Sequence, residues 1–495
     1  MIQKFNWLFS RRKRSGVWFL ILCGMVSLML APVSRMDSNG SNPDSEVAVP
    51  AFSEFEPNLN PSLTHQQRGQ FVPDAGVTLE CASKAAQPLA DTGSDHSELG
   101  LVNTTSSDGR YVVFTSLALN LVTGQTEANN GLDVFLYDRV TGTTRLVSRA
   151  AGTIATTGDQ GSRNPMMSAD GRWIIFESDA TNLVPGLVKA NFETDVFVYD
   201  RVTDTTQLVS RAAGTTATTG DSGIFQSVIS ADGQWIAFTS FATNYVAGQT
   251  DTNGSIDVFV FNRVTGTTEL VSRVAGTITT AANGFSFDPV ISGDGQFIAY
   301  SSNAPDLVSG QPDLNETADV FVYGRVSGTT QLVSRAAGSP ITAGNDYSLR
   351  PGISADGQFI TYYTAATNLV PGVTDTNGTT DVCVFNRVTG TTELASGDSA
   401  PATNTGNSES FDPIISADGK FIVFRSFATN LVTGQIDTNA KDDVFVYNRV
   451  AGTTQLVSRV PGTTTAGNAD SSFPVISADG KFIVFLSNAS NLVTG

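Results

Sequence analysis

The sequence predicts an all-β protein assembled from one repeated unit. The dipeptide Asp-Gly recurs in a fixed setting, with five equal steps and a last step that is one residue shorter. Each unit holds four short apolar runs bounded by Gly, Asp, Asn or Thr, a pattern typical of strands joined by tight turns. The dipeptide begins at Asp108, Asp170, Asp232, Asp294, Asp356, Asp418 and Asp479. Because one such unit cannot bury its own apolar faces, neighbouring units must pack on one another.

The four runs are clear in the fourth copy, where they read "DPVIS", "QFIAYSS", "DVFVYGR" and "TTQLVSR". The turns "GDG" and "VSG" join the first and last pairs, and Gly supplies the positive φ that tight hairpins need. The third run is apolar on both faces, with Val320 and Val322 on one side and Phe321 and Tyr323 on the other. The fourth run is more polar, as expected at an outer edge. Four-stranded units packed face to face around an axis form a β-propeller.

Seven copies of the first hairpin predict seven blades, with six or eight as alternatives, and the propeller is assigned to residues 76–495. The run "GVTLECAS", at 76–83, resembles a fourth strand and precedes the first complete unit, whereas the last copy stops after two strands. N-terminal strands are therefore candidates to complete the final blade. The alternative is that the sequence is the N-terminal part of a longer surface protein.

The N-terminal segment predicts export. Residues 1–35 carry six basic and no acidic side chains around an apolar run, which indicates a signal peptide or, if uncleaved, a membrane anchor. Residues 36–75 are rich in Ser, Asn, Pro and Glu without periodicity, which predicts a disordered linker. The expected location is periplasmic, cell-surface or extracellular, with membrane contact only through residues 1–35.

The remaining chain is strongly acidic, with 23 basic and 47 acidic side chains and a net charge of 23 − 47 = −24. Such a charge repels phosphates, so nucleic acid is excluded as a partner. We expect a monomer. Cys383 replaces the Phe of other copies, and burial explains it better than a disulfide with Cys81.

The runs "SADG(K/Q)FIxF", "DVFVYxR" and "TTQLVSR" resemble the WD-like repeats of TolB-type β-propellers of exported bacterial proteins. The resemblance covers residues 77–495 and implies the propeller fold. It is specific for fold and implies little about function. TolB propellers usually follow a small α/β domain, and this chain has only the low-complexity linker in that place.

The long loop between the second and third strands repeats an oxygen-rich motif, "DTNGSID" in the third copy. Ca²⁺ favours six to eight oxygen ligands, and side chains two residues apart in a turn converge on one ion. Turn capping through backbone N–H groups needs the same residue types, and the sequence favours it over Ca²⁺ binding. Lys189 stands in place of the first Asp in the second copy, where an ammonium would replace a cation or show that none is needed. The candidate calcium ligands are Asp251, Asn253, Asp257, Asp313, Asn315, Asp319, Asp375, Asn377, Asp381, Asp437, Asn439 and Asp443, and the first unit offers Glu127, Asn129 and Asp133.

Some of the remaining residues recur in most copies of the repeat, and others differ from copy to copy. The arginines that recur after the third and fourth strands indicate structural pairing. The run "GDSG" at 220–223 is a variable turn, since the preceding copy has Gln160 in place of Ser222, and both histidines precede the first complete unit, so no repeat offers a Ser-His-Asp relay. Residues near the entrance to the first strands differ between copies, and aromatic groups there suit a sugar or peptide. These exceptions are Arg163, Phe225, Phe285, Phe287, Tyr347 and Arg350.

The sequence therefore favours a non-catalytic exported scaffold that presents an acidic loop face to a protein, peptide or glycan, and weak Ca²⁺ binding in copies three to six is a separate hypothesis. No catalytic or organic-cofactor residue is assigned. The alternative is a propeller enzyme, a hydrolase or lactonase using carboxylates and Ca²⁺ on that face. Every candidate carboxylate recurs in most units, which argues against a single catalytic pair.

Overall fold

The structure, a computed structural model, describes residues 97–98, 104–312, 315–398 and 402–492. The chain divides into a unit of residues 1–64 and a unit of residues 65–495, and every described residue belongs to the second. Within these ranges the chain forms strands and turns without a helix. Accordingly, the described part contains no helix of the length and apolarity that crossing a membrane requires.

Six four-stranded antiparallel sheets and one two-stranded sheet follow one another along the chain, and we call them blades 1 to 7. Blade 1 consists of β1 Ser97–Glu98, β2 Tyr111–Ser116, β3 Asp133–Asp138 and β4 Thr143–Leu146. Blade 2 consists of β5 Ser162–Met167, β6 Trp173–Ser178, β7 Asp195–Asp200 and β8 Thr205–Leu208. Blade 3 consists of β9 Ile224–Ile229, β10 Trp235–Ser240, β11 Asp257–Asn262 and β12 Thr267–Leu270. Blade 4 consists of β13 Ser286–Ile291, β14 Phe297–Ser302, β15 Asp319–Gly324 and β16 Thr329–Leu332. Blade 5 consists of β17 Ser348–Ile353, β18 Phe359–Thr364, β19 Asp381–Asn386 and β20 Thr391–Leu394. Blade 6 consists of β21 Ser410–Ile415, β22 Phe421–Ser426, β23 Asp443–Asn448 and β24 Thr453–Leu456. Blade 7 consists of β25 Ser471–Ile476 and β26 Ile483–Ser487.

The all-β propeller prediction is confirmed by these repeated meanders. Within each complete blade the strands pair in chain order, so the predicted hairpins are present. The fourth strand is shorter than its sequence run: β16 ends at Leu332, because the next residues turn inward and the Ser334 hydroxyl donates to Asp319 at 2.6 Å. The expectations for residues 1–35, 36–75 and the run 76–83 lie outside the described residues.

The Asp-Gly dipeptide forms the turn between the first two strands. In blade 3 the Asp232 carboxylate accepts hydrogen bonds from the Ser230 hydroxyl and from the backbone N–H of Gln234 at 2.9 Å. Gly233 has a φ of 70°, and a Cβ there would collide with Trp173 of blade 2. Only glycine meets both demands, so the dipeptide fixes the turn and the approach of the preceding blade.

Successive blades pack through two unlike faces. The Val258 and Val260 side chains of blade 3 lie in one buried cluster with Tyr300 and Phe321 of blade 4. The same valine-to-aromatic packing recurs between other neighbours and carries the core from blade to blade. The first strands of neighbouring blades also contact one another, which places them innermost, at the propeller axis.

The second sheet face of blade 7 is exposed. Phe482, Val484 and Leu486 of this hairpin are 60, 66 and 63% exposed. In blade 5 the counterparts of the first two, Phe359 and Thr361, are 6 and 0% exposed, because blade 6 covers them. Among the described residues, no following blade covers this face of blade 7, whereas a following blade covers the same face in blades 2 to 5.

Candidate functional site

The long loops between the second and third strands share one end of the blades with the blade connectors. Two groups of residues lie there: the repeated Asp/Asn loops and the variable residues at the start of the first strands. The first group carries the predicted calcium ligands. The second carries the residues that break the repeat.

In blade 3 the predicted turn function of the Asp/Asn loop is present. One oxygen of Asp251, Oδ1, accepts hydrogen bonds from the backbone N–H groups of Asn253 at 3.0 Å and Gly254 at 3.1 Å. The Asn253 amide donates to the backbone oxygen of Ala282 in the following connector. Both side chains therefore organise the loop without any ion.

The third candidate ligand of this loop, Asp257, begins the third strand and is 1% exposed. Its Oδ1 accepts from the Ser272 hydroxyl at 2.6 Å, and that hydroxyl oxygen accepts from the backbone N–H of Val258 at 2.9 Å. Burial raises the pKa of Asp257 to about 8, and the nearby carboxylate of Asp251 adds to the rise. A buried anion next to another anion is unfavourable unless a cation accompanies it.

Two carboxylate oxygens of this loop remain without a partner. Asp251 Oδ2 and Asp257 Oδ2 are both buried and neither forms a hydrogen bond. Blade 6 repeats the pattern in part, because Asp443 Oδ2 is buried and unpartnered while Asp437 Oδ1 caps the loop through Asn439 at 3.0 Å. Hydrogen bonds within these blades therefore engage only one of the two carboxylate oxygens of Asp251, Asp257 and Asp443.

Blade 2 fills the corresponding space with its own side chain. The Lys189 ammonium lies 3.1 Å from Asp195 Oδ2 and donates to the backbone oxygens of Asp179 at 3.3 Å and Glu193 at 2.5 Å. The Lys189 and Asp195 side chains are 9 and 0% exposed. This blade thus holds a positive charge among one carboxylate and two carbonyl oxygens.

The remaining candidate loops vary around the same plan. In blade 5, Asp375 Oδ1 caps the loop through Asn377 and also accepts from Thr405 at 3.3 Å, while Asp381 accepts from Ser396. A cavity of about 20 Å³ is lined by Asp375, Asp381, Thr405 and Cys383, among other residues. Burial raises the pKa of Asp381 to about 8.

In blade 4, Asp313 lies outside the described residues. Asn315 donates to the backbone oxygen of Gly344 at 2.7 Å, and Asp319 accepts from Ser334. In blade 1, Glu127 caps Asn129 at 2.9 Å, and burial raises the pKa of Asp133 to about 8. The described residues contain no group of three or more His, Cys, Asp or Glu side chains placed to hold a metal, so any ion there needs backbone oxygens as well.

The recurrent arginines have structural partners, as predicted. After the third strand, Arg263 donates to the backbone oxygen of Gly233 at 2.9 Å, and its guanidinium lies 3.2 Å from the Trp173 ring centroid of the preceding blade. After the fourth strand, Arg211 donates to Gly266 of the next blade at 2.7 Å. Equivalent bonds join Arg149 to Asp204, Arg273 to Gly328 and Arg335 to Gly390.

The variable residues form side-by-side pairs, each joining the second residue of a first strand to the residue after the second strand. In blade 2, Arg163 pairs with Asp179, with 3.3 Å between the guanidinium nitrogen and the carboxylate oxygen. In blade 3, Phe225 pairs with Phe241, with ring centroids 5.2 Å apart. In blade 6, Phe411 pairs with Phe427, with ring centroids 6.0 Å apart. We call these three pairs the rim.

Next to the rim, the third residue of five first strands has a positive φ although none is glycine. These residues are Asn164, Asp288, Arg350, Asp412 and Phe473, with φ of 50–52°. A register shift interrupts each of these strands at this point, which is the signature of a β-bulge. A positive φ repeated at one position with different side chains makes these bulges candidates for a functional site.

Charged groups from blades 4 to 6 meet at these bulges. Arg350 lies 2.6 Å from Asp412 of the next blade, and Arg425 lies 3.1 Å from the other oxygen of Asp412. Arg425 also pairs with Asp442 and stacks 4.6 Å from the Phe411 ring centroid. Burial raises the pKa of Asp288, and the charge of Arg350 opposes that rise. The sequence pattern marks Arg350 as an exception, whereas it gives no sign of Asp412 and Arg425.

The "GDSG" run contacts the loop of the preceding blade. The Ser222 hydroxyl donates to Glu193 at 2.9 Å, and the Gly223 backbone N–H donates to the same carboxylate oxygen. Both histidines of the chain, His65 and His96, lie outside the described residues. The run is therefore a loop contact, as the variable-turn interpretation requires.

No family model matches the chain, and no curated protein matches it. Many solved structures are similar in fold. An oligogalacturonate lyase in complex with manganese matches at 12% identity over 79% of this chain and 86% of that one, with a TM-score of 0.44. TolB from Acinetobacter baumannii matches at 13% identity over 77% of this chain and 81% of that one, with a TM-score of 0.32. The β-propeller domain of the Trilobed protease from Pyrococcus furiosus matches at 11% identity over 77 and 87%, with a TM-score of 0.43.

The fold is that of a β-propeller. The repeated four-stranded antiparallel sheets carry this assignment. The matches include enzymes as well as TolB, and identities of 16% or less transfer neither an activity nor a ligand to this chain.

Proposed function

We propose that the chain is a non-catalytic binding scaffold whose recognition surface is the rim and the charged bulges beside it. The observation that carries the proposal is the contrast between a constant framework and a variable rim. Turns, arginines and core residues repeat in nearly every blade, whereas one rim position pairs two ions and the next pairs two phenylalanines. Binding sites on symmetric scaffolds are made by such exceptions, because a partner has no matching symmetry.

The chemistry of the rim suits a sugar or a peptide segment. Phe225 and Phe241 are 42 and 37% exposed, although large apolar side chains are usually buried. The Arg163–Asp179 pair in the neighbouring blade offers charged hydrogen-bond groups. Aromatic faces beside oriented polar groups are the usual features of glycan and peptide sites. The ligand class we propose is a protein, a peptide or a glycan met outside the cytoplasm.

The test is a binding screen against glycan and peptide arrays with the intact chain and two variants. Phe225→Ala/Phe241→Ala removes the aromatic pair, and Phe192→Ala removes a fully exposed aromatic that lies outside the rim. We expect a ligand that binds the intact chain and the Phe192 variant equally and the rim variant at least about tenfold more weakly, the effect of losing roughly 1.4 kcal/mol. Equal binding by all three would reject the rim as the site.

The enzyme alternative makes a different demand on the same surface. A hydrolase or lactonase would turn over its ligand, and carboxylates beside the bulges, such as Asp288 and Asp412, would be needed for that turnover. Incubation of array ligands with the chain, followed by mass spectrometry, separates the two functions. Intact ligand after prolonged incubation supports the scaffold, and a cleaved product that is lost in Asp412→Asn replaces it with the enzyme.

A further inference from the structure

Blade 2 shows what the Asp/Asn loop accommodates when a positive charge is present. Lys189 stands one repeat before Asp251, and Asp195 stands one repeat before Asp257. The two carbonyl groups that accept from the Lys189 ammonium, those of Asp179 and Glu193, correspond by the same step to Phe241 and Ser255. Blade 3 therefore has an equivalent for each of the three oxygens around the ammonium.

Blade 3 also carries an additional oxygen that blade 2 does not have. The Asp251 carboxylate replaces the lysine, and its Oδ2 is buried without a partner, as is Oδ2 of Asp257. The counterpart of this second oxygen, Asp195 Oδ2, is the atom that faces the ammonium at 3.1 Å. By this correspondence the unpartnered oxygen of Asp257 faces the space that the ammonium fills in blade 2, and Asp251 stands at the position of the lysine itself.

The charges at the two sites differ by two units. In blade 2 the Asp195 carboxylate and the Lys189 ammonium cancel, whereas Asp251 and Asp257 give the blade 3 site a charge of −2 when both are ionised. A divalent cation restores neutrality in blade 3, as the lysine does in blade 2. Hard carboxylate and carbonyl oxygens in a flexible loop match Ca²⁺, whereas Mg²⁺ demands a stricter octahedron and keeps more of its water.

We propose that blades 3 and 6 each bind one divalent cation of the Ca²⁺ class at the position that the Lys189 ammonium occupies in blade 2. In blade 3 the ligands are Asp251 Oδ2, Asp257 Oδ2 and the backbone oxygens of Phe241 and Ser255, completed by water. In blade 6 the corresponding side chains are Asp437 and Asp443, and Asp443 Oδ2 is buried and unpartnered. Lys189 is then a covalent replacement for the ion.

The repeat supplies the variants that test this proposal. Asp251→Lys copies blade 2 into blade 3, and Lys189→Asp copies blade 3 into blade 2. Thr252→Lys is the matched control, because Thr252 is exposed and the substitution places an ammonium one residue away from the site. Each EDTA-stripped protein is titrated with Ca²⁺ and separately with Mg²⁺ by calorimetry, and its thermal unfolding is followed with and without millimolar Ca²⁺.

We expect Asp251→Lys to bind one Ca²⁺ fewer than the intact chain, Lys189→Asp to bind one more, and Thr252→Lys to bind the same number. In EDTA, Asp251→Lys should melt above the intact chain. Unchanged stoichiometry in both exchanges, or no Ca²⁺ binding by any protein, would overturn the proposal. Should Asp251→Lys not fold, Lys189→Asp decides alone: its melting temperature must rise with Ca²⁺ by more than that of the intact chain. These readouts use the metal alone, so they succeed or fail independently of ligand binding at the rim.

Discussion

At the scale of single residues, Lys189 is the clearest case of a side chain whose surroundings dictate its chemistry. Its ammonium is nearly buried and pairs with Asp195, which is fully buried. Because the carboxylate cannot be rehydrated in place, removing the lysine leaves an isolated buried charge. Aligning the repeats is enough to single out Lys189, but its contacts with the Asp179 and Glu193 carbonyls depend on loop geometry and are visible only in the structure.

Lys189→Met should therefore lower the free energy of unfolding by about 3–5 kcal/mol, the usual effect of breaking a buried ion pair. Denaturant unfolding at neutral pH measures the change. Lys189→Met/Asp195→Asn, which removes both charges, should recover most of the loss. A double variant as unstable as the single one would show that packing of the lysine stem, and not its charge, is what matters.

Cys383 is the second informative exception. The corresponding residue is phenylalanine in the other complete blades, where it stacks on the second strand, as Phe259 does on Phe238 at 5.7 Å. Cys383 instead lines the small cavity of blade 5. Its thiol is free, and burial raises its pKa, so it stays protonated and unreactive in the folded chain.

Cys383→Phe should fill this cavity and raise the free energy of unfolding by up to about 1 kcal/mol, since each methyl-sized void costs about that much. Cys383→Ser is the control and should destabilise, because it buries a hydroxyl in an apolar position. Thermal unfolding compares the three proteins. A lower melting temperature for the phenylalanine variant would show that blade 5 has repacked around its smaller residue.

At the scale of single elements, the arginine that follows the third strand holds each of blades 2 to 6 to the preceding blade. Arg263 bonds to Gly233 within its own blade and stacks on Trp173 of the preceding one. Arg139 makes the equivalent bond, to Gly109 at 3.1 Å, but none of the aromatic rings in the described residues stacks on it. The two positions differ chiefly in the ring contact.

Arg263→Ala should therefore cost about 1–2 kcal/mol more than Arg139→Ala, the range of a partly desolvated cation–π contact. Denaturant unfolding of the two variants gives the difference directly. Equal losses for both would assign the stabilisation to the carbonyl bond alone.

The hairpins of blades 1 and 2 carry an ion pair that the next three blades lack. Arg110 donates to both oxygens of Asp138, at 3.0 and 2.8 Å, and these bonds lower the pKa of Asp138 to about 2. Blade 3 has Gln234 and Asn262 in the same places. A lowered carboxyl pKa in the folded state means that its stabilisation is complete above the unfolded pKa of about 4 and is lost as the pH falls through 2.

Arg110→Gln/Asp138→Asn, which copies the blade 3 pair, should leave stability at pH 7 nearly unchanged, within about 1 kcal/mol for a partly exposed pair. Between pH 4 and 2 the variant should lose less stability than the intact chain. Unfolding curves at pH 7, 4 and 2 test the sign. A variant that loses stability faster in acid would contradict it.

At the scale of the whole molecule, the repeat period predicts the strands, their order and the turns, because hydrophobic alternation and turn residues are local signals. The rim can be predicted only in part. Phe225 and Arg350 stand out as departures from the repeat, but Asp412 and Arg425 do not, since their importance comes from a β-bulge and from contacts between blades.

The blades differ in how far neighbouring blades cover their faces, so we expect their backbone amides to differ in protection from hydrogen exchange. Blade 7 exposes Val484 and Leu486, whereas blades 3 to 5 are buried on both faces. Hydrogen exchange followed by mass spectrometry should show the fastest exchange in β25 and β26 and the slowest in β10, β14 and β18, because local opening is easiest where fewest apolar contacts are lost. Uniform protection across all seven blades would contradict this expectation.

The bonds that Arg211, Arg273 and Arg335 make to a glycine of the next blade have a consequence for folding kinetics. Each arginine reaches a turn that is nearly the same in every copy, so a correct and an incorrect neighbour offer it the same carbonyl. A chain that skips one blade while folding meets the same local chemistry and becomes trapped, and two chains at high concentration can exchange equivalent blades. The order of synthesis and the exceptions among the copies, such as those at the rim, distinguish one neighbour from another.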